Sequence, residues 1–268
     1  MLKKIAAFLV VLMLFVACKT VPFTGRKQVN FMPNSQLFPM AFAQYDSFLK
    51  ENKLSSNQKD ANRVETVGQR IVTATQRYLD ANKAKGYMKD YQWEFKLVHD
   101  AQKNAWCMPG GKVVFYDGIL EVCQSDAGIA TVMGHEIAHA LANHGGERMS
   151  QGMIQQAVGV GVNVATRNES ETKRKLWMTA YGLGSQVGVM LPFGRKQESE
   201  ADEIGLLLMT MAGYDPNEAV SFWSRMEHMS GGQAPPEFLS THPAHKTRIS
   251  DIKRLIPEVQ KKAMKYKQ

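Results

Sequence analysis

The apolar positions along the chain change period several times, and each change marks an element. From Ser35 to Lys50 they fall at helical spacing (Leu37, Met40, Ala41, Tyr45, Phe48, Leu49), the signature of an amphipathic helix. Asn57–Ala84 repeats it with Val64, Val67, Ile71, Ala74, Tyr78 and Leu79, and Arg and Lys fill the opposite face; this predicts a longer helix with one buried side. Between Tyr91 and His99 the period drops to two. Trp93, Phe95 and Leu97 alternate with Gln92, Glu94 and Lys96, which predicts a half-buried strand. The Pro109-Gly110-Gly111 turn then separates a short strand from a second one, Lys112–Tyr116, that Asp117-Gly118 stops.

Helical spacing returns over Ser125–His144, with Ile129, Val132, Met133, Ile137, Ala140 and Leu141 on the buried face. Ser125 suits the N-cap, and Gly145-Gly146 suits the stop. Met149–Leu191 is glycine-rich and apolar, divided by the polar stretch Arg167–Lys175. It predicts a helical hairpin, residues 149–191, covering a cleft; neither half is long and apolar enough for a convincing membrane span. Helices over Arg195–Gly213 and Asn217–His228 follow, then a Gly/Pro loop at Ser230–Pro236 and a last helix beyond His242-Pro243. The order of elements predicts an α+β fold, mostly helical with a small sheet.

The N-terminus changes this picture. Lys3 and Lys4 precede a 12-residue apolar run, Ile5–Val16, that ends at Ala17-Cys18. The run suits an export signal better than a span, and a small residue before Cys18 resembles a bacterial lipobox. We therefore expect residues 1–17 to be a lipoprotein-type signal, Cys18 to carry the lipid, residues 18–33 to form a tether and 34–268 a single domain. The expected location is the periplasm, lipid-anchored, at the outer membrane. The formal charge of +8 is spread along the chain; with no basic helix interleaved with aromatics, it points away from nucleic acid and toward weak attraction to an anionic membrane. Cys107 and Cys123 flank one strand and either pair or remain two thiols.

The chemistry lies in His135-Glu136-Ile137-Ala138-His139. On a helix, positions i and i+4 share a face, so His135 and His139 can direct two imidazole nitrogens at one Zn2+, while Glu136 reaches a water on it. A third ligand is expected from Glu198 or Asp202, four residues apart on a later helix; one ligates and the other holds a ligand histidine by its second nitrogen. Glu200 points away from that face. His242 and Arg248 are candidates to face the reacting carbonyl. Lys112, Val113, Val114, Phe115 and Tyr116 form a strand suited to cradle an extended peptide by strand addition.

In order, Thr24-Gly25-Arg26-Lys27-Gln28, Asn104-Ala105, Pro109-Gly110-Gly111, Gly134 through His139, His144-Gly145, Arg195 with Glu198-Ser199-Glu200-Ala201-Asp202, and Ser240-Thr241-His242-Pro243 with Arg248-Ile249 resemble the gluzincin metallopeptidases. That family holds HtpX, the CAAX prenyl endopeptidases and the mitochondrial overlapping-activity protease, and the likeness is greatest to its small bacterial periplasmic lipoproteins. The resemblance implies a zincin-like fold, His135, His139 and Glu198 as metal ligands, and Glu136 as catalytic base. It also matches His242 to a histidine that in some relatives occupies or guards the metal site. The implied activity is zinc-dependent hydrolysis of misfolded or misassembled envelope proteins. The alternative is a latched chaperone or quality-control scaffold for outer-membrane protein assembly.

Overall fold

The computed structural model describes residues 18–230, 236–243 and 247–266. The expected signal, residues 1–17, lies outside them. The chain opens with a hairpin, β1 (Cys18–Thr20) against β2 (Lys27–Val29). Two helices follow, α1 (Asn34–Glu51) and α2 (Gln58–Ala81). The second is capped by Asn57, whose side chain accepts from the Asp60 N–H. It buries Val64, Val67, Ile71, Ala74, Tyr78 and Leu79, the stripe the spacing predicts.

The sheet has three strands, β3 (Glu94–Val98), β4 (Ala105–Met108) and β5 (Lys112–Tyr116), in the order β3-β5-β4. β5 runs parallel to β3, with Glu94 opposite Lys112, and antiparallel to β4, with Ala105 opposite Phe115. The strand expected to cradle a peptide is thus the central strand, with ladders on both sides and no free edge. One face, with Phe95, Leu97, Val113 and Phe115, enters the main core. The other, with Val114 and Tyr116, packs on Tyr45 of α1. Gly110 (φ +89°) and Gly111 (φ +98°) make the β4–β5 turn in the left-handed region, where a Cβ is costly.

After α3 (Asp117–Cys123) comes the central helix α4 (Asp126–Leu141). Ser125 Oγ caps it, accepting from Gly128 N at 3.0 Å. Its end differs from expectation. The helix stops at Ala142, Asn143 turns the chain in the left-handed region (φ 56°), and Gly145-Gly146 fall in the first turn of α5 (His144–Ala165). α6 (Glu171–Ser185) returns and runs through a π-helical turn, Gln186–Met190, into α7 (Leu191–Met211). Beyond Ser150 the α5–α6 pair has no fully buried side chain apart from Thr166 near the turn. It projects from the core as a hairpin.

α8 (Asn217–Ser230), a short α9 (Glu237–Thr241) and α10 (Arg248–Ala263) complete the body. The architecture is zincin-like α+β, mostly helical with a small mixed sheet. Its pivot is the crossing of α4 and α7. A Cβ on Gly134 would lie 2.8 Å from Gly205 O, and one on Gly205 would lie 2.8 Å from His135 N. The two backbones touch there, which closer side chains would prevent.

The segment expected to be a tether is also part of the body. Val21 and Phe23 are buried, Phe23 stacks on Tyr78, and Gln28 Nε2 donates to Ala142 O at 2.9 Å.

Candidate metal centre

The α4–α7 crossing places one turn of each helix face to face. His135 and His139 project from α4, and Glu198 from α7. His135 Nε2 and His139 Nε2 lie 3.1 Å apart. Glu198 Oε2 is 3.3 Å from His135 Nε2, and its Oε1 is 3.3 Å from His139 Nε2. His242 closes the group. Its Nδ1 lies 3.1 Å from both His135 Nε2 and Glu198 Oε2. The four donor atoms fall within 4.8 Å of one another, all buried.

The second nitrogen of each α4 histidine is also held. His135 Nδ1 donates to Asp202 Oδ1 at 3.0 Å, which leaves Nε2 as the nitrogen that offers its lone pair once a metal displaces its proton. His139 Nδ1 lies 2.8 Å from His144 Nδ1, and His144 Nε2 lies 2.9 Å from Glu200 Oε2. One tautomer set satisfies that chain: His144 donates from Nε2 to Glu200 and accepts at Nδ1 from the His139 N–H. His139 Nε2 then faces the cluster with its lone pair free. Ligand histidines are usually fixed this way. Two imidazoles and a carboxylate are the donor set zinc prefers, with a position left for chemistry, so the residues fit Zn2+.

Electrostatics follow from burial and pairing. Burial alone lowers the His135 pKa, but hydrogen bonds to Asp202 and Glu198 carry it up to about 9. For His139 burial wins, and its pKa falls well below the ordinary value. Burial opposes ionisation of Glu198, yet its bonds to His135, His139 and His242 hold it below the usual carboxylate range. Glu136 differs from its neighbours. Burial pushes its pKa up against the pull of His242 and His135. Its Oε1 lies 3.2 Å from His242 Nε2 but makes no hydrogen bond, while the backbone of Cys107 favours the charged carboxylate. A buried carboxylate with a spare oxygen and a raised pKa has the properties of a general base.

Two expectations change. Lys112, Val113, Val114, Phe115 and Tyr116 are enclosed in the sheet interior, and the edge beside Glu136 is β4. The run Val113-Val114-Phe115 already carries the sign of a strand buried on both faces. Arg248 is buried behind the ligands instead of facing a substrate. Its Nη2 donates to Asp202 Oδ1 at 2.7 Å, and its guanidinium lies 3.4 Å over the Trp223 ring. It supports Asp202, which in turn orients His135. Cys107 and Cys123 are free thiols.

Sequence reasoning missed a layer of support. Arg26, on the N-terminal hairpin, donates to Glu200 Oε2 (2.6 Å) and to both oxygens of Glu147 (2.7 and 2.9 Å). The Thr24 hydroxyl also bonds Glu200. Glu200 does point away from the zinc face of α7, and that direction leads to His144. The available signal was the spacing of His144, five residues beyond His139 and just past the helix end.

A His-Glu-x-x-His helix whose third donor is a glutamate on a later helix defines a gluzincin-type metallopeptidase fold. Residues 59–256 match Peptidase family M48, and the chain belongs to that family. It is 38% identical over 177 residues to the "Mitochondrial metalloendopeptidase OMA1" of Schizosaccharomyces pombe, covering 65% of this chain and 50% of that protein. It is 28% identical over 261 residues to the OMA1 metalloendopeptidase of Homo sapiens, covering 94% of this chain and 48% of that one. The "Beta-barrel assembly-enhancing protease" of Escherichia coli (strain K12) is 27% identical over 165 residues, 60% of this chain and 34% of that protein. The chain thus spans about half or less of the length of these relatives.

Proposed function

We propose that this chain is a zinc-dependent endopeptidase. The observation that carries the reading is the unpartnered, buried Oε1 of Glu136 beside the converging nitrogens of His135 and His139 and the carboxylate of Glu198. His135, His139 and Glu198 would hold a zinc ion, which when bound would supply Lewis-acid polarisation and lower the pKa of a bound water to roughly 7. Glu136 accepts the water proton as water attacks the scissile carbonyl and delivers it to the leaving nitrogen. An extended peptide is seated along the edge of β4 (105–108), by main-chain bonding that reads backbone more than side chain. The test compares wild type and Glu136→Gln on casein, with zinc measured in both. Equal zinc and lost cleavage support the reading; cleavage by Glu136→Gln at the wild-type rate overturns it.

One observation favours a restrained resting state. His242 lies against Glu198, His135 and Glu136 together, where it competes with a substrate for the remaining position. It is held there by Phe238, whose ring lies 4.7 Å from the His242 ring and whose N–H donates to Lys103 O. In that state the protein acts as a latched quality-control factor with little constitutive proteolysis.

The substrates we propose are unfolded or misassembled envelope proteins. The support is the export pattern of Met1–Cys18 and the name of the Escherichia coli relative. Among the described residues no helix is long and apolar enough to cross a membrane. A lipid on Cys18 would supply attachment, at the outer membrane by the same pattern.

A further inference from the structure

An apolar cavity of about 480 Å³ lies between the N-terminal hairpin and the projecting α5–α6 hairpin. Its walls include Cys18, Val29, Ile154, Val158, Tyr181 and Val189. The volume is within the range of roughly 300–1,000 Å³ usual for small-molecule sites. It is remote in character from the metal centre, being almost wholly apolar where the centre is charged. The π-helical turn Gln186–Met190 supplies Val189 and Met190 to one wall. Such turns are rare and concentrate at functional positions. The wall also carries Gln151, whose buried Nε2 has no acceptor.

We propose that this cavity seats one acyl chain of the lipid carried on Cys18. The proposal rests on the lipoprotein reading of Met1–Cys18 and goes beyond it, because a lipid anchor by itself needs no protein pocket. Three observations commit the site to this occupant. Cys18 is part of the cavity wall and its thiol is free, so a chain attached there starts at the mouth. Attachment also makes entry intramolecular, at a high effective concentration that a free lipid lacks. Finally, a glyceryl ester brings carbonyl acceptors of the kind Gln151 Nε2 is without.

The modification balances as a thiol alkylation. Cys18 Sγ forms a thioether to a glyceryl carbon of a membrane phospholipid. The bond from that carbon to the phosphate ester breaks, and the thiol proton leaves with the phosphate headgroup. Both acyl esters remain on the glyceryl unit, one in the cavity and one in the bilayer. A single chain anchors only weakly. The exposed apolar side chains of the same hairpin, Val160, Leu176, Trp177, Leu183 and Val187 among them, give the second membrane contact.

The experiment feeds cells a diazirine-bearing fatty acid, irradiates them, and maps cross-links and N-terminal mass on the full-length purified protein. The expected result is a diacylglyceryl mass on Cys18 and an intramolecular cross-link from that lipid to the peptide holding Val158 or Val189. The cross-link is lost in Cys18→Ala, and in Val158→Trp, which fills the cavity without altering the lipid mass. A normal lipid mass with cross-links only to bilayer lipids overturns the pocket and leaves the lipoprotein reading standing. Cross-links that persist in Cys18→Ala come from free lipid and overturn the proposal. No lipid mass on Cys18, or retention of residues 1–17, overturns the lipoprotein reading and the proposal with it.

Discussion

His144 Nδ1 lies 2.8 Å from His139 Nδ1, so a histidine outside the His-Glu-x-x-His motif sets the tautomer of one inside it. His144 is in turn held by Glu200. We expect His144→Ala and Glu200→Gln each to weaken zinc affinity by roughly 10- to 100-fold, the usual effect of removing such a partner. Competition with a chelator measures it. Unchanged affinity in both variants would detach this chain from the metal centre.

The Gly134–Gly205 contact predicts a split between two glycine substitutions. Gly205→Ala forces α4 and α7 apart, at a cost of about 1–3 kcal/mol from overpacking, and should release zinc because the ligands come from both helices. Gly152→Ala, on α5 with nothing near its Cβ position, should stabilise by up to about 1 kcal/mol through helix propensity. Thermal unfolding and zinc content separate the two.

Arg248 is 1% exposed and pairs with Asp202. Arg248→Met leaves that carboxylate with His135 alone, and breaking a buried pair costs about 3–5 kcal/mol. Lys should rescue it only in part, because it keeps the charge but lacks the planar fork and the stack on Trp223. Chemical denaturation of the three proteins checks the order wild type, then Lys, then Met. A Lys variant equal to wild type would make the charge alone sufficient.

Removing His242 takes a fourth donor from the cluster while leaving Glu136 and the three ligands. His242→Ala should therefore raise the rate of casein cleavage and of self-cleavage, measured beside Glu136→Gln as the inactive reference. A fall to the level of Glu136→Gln would instead assign His242 a direct part in the reaction.

The raised pKa of His135, about 9 in the metal-free protein, means that zinc must displace its proton. The sign is fixed: the protonated form dominates below about pH 9, so affinity rises as pH rises. Linkage gives about tenfold per pH unit for one proton released, throughout the range below pH 9. Above that this group adds nothing. Calorimetry in buffers of different ionisation enthalpy counts the proton; zero release at pH 7.5 would contradict the assignment.

Much of the centre was legible because its parts are local. His135 and His139 share a helix face by their spacing, and so do Glu198 and Asp202. Each pair announces itself within five residues. What stayed hidden depends on which distant segments meet. The Arg26–Glu200 pair joins positions 174 apart in sequence, and no periodicity encodes that. A period-two pattern marks strands but not their order, so it does not tell the centre of the sheet from its rim. The segment around Pro22 and Gly25 read as loose because turn residues mark bends without saying what a bend packs on.

The N-terminal hairpin has a practical consequence for anyone shortening this protein. A chain begun after Pro33, at the domain boundary expected from the sequence, would keep every ligand and the base. It would lack Arg26, Thr24 and Gln28, and with them the strut behind Glu200 and the cap on Ala142 O. Such a version should still fold around its α4–α7 crossing, yet hold its zinc loosely and be mistaken for a naturally inert relative. Inactivity measured on a trimmed chain therefore reports on the trimming first.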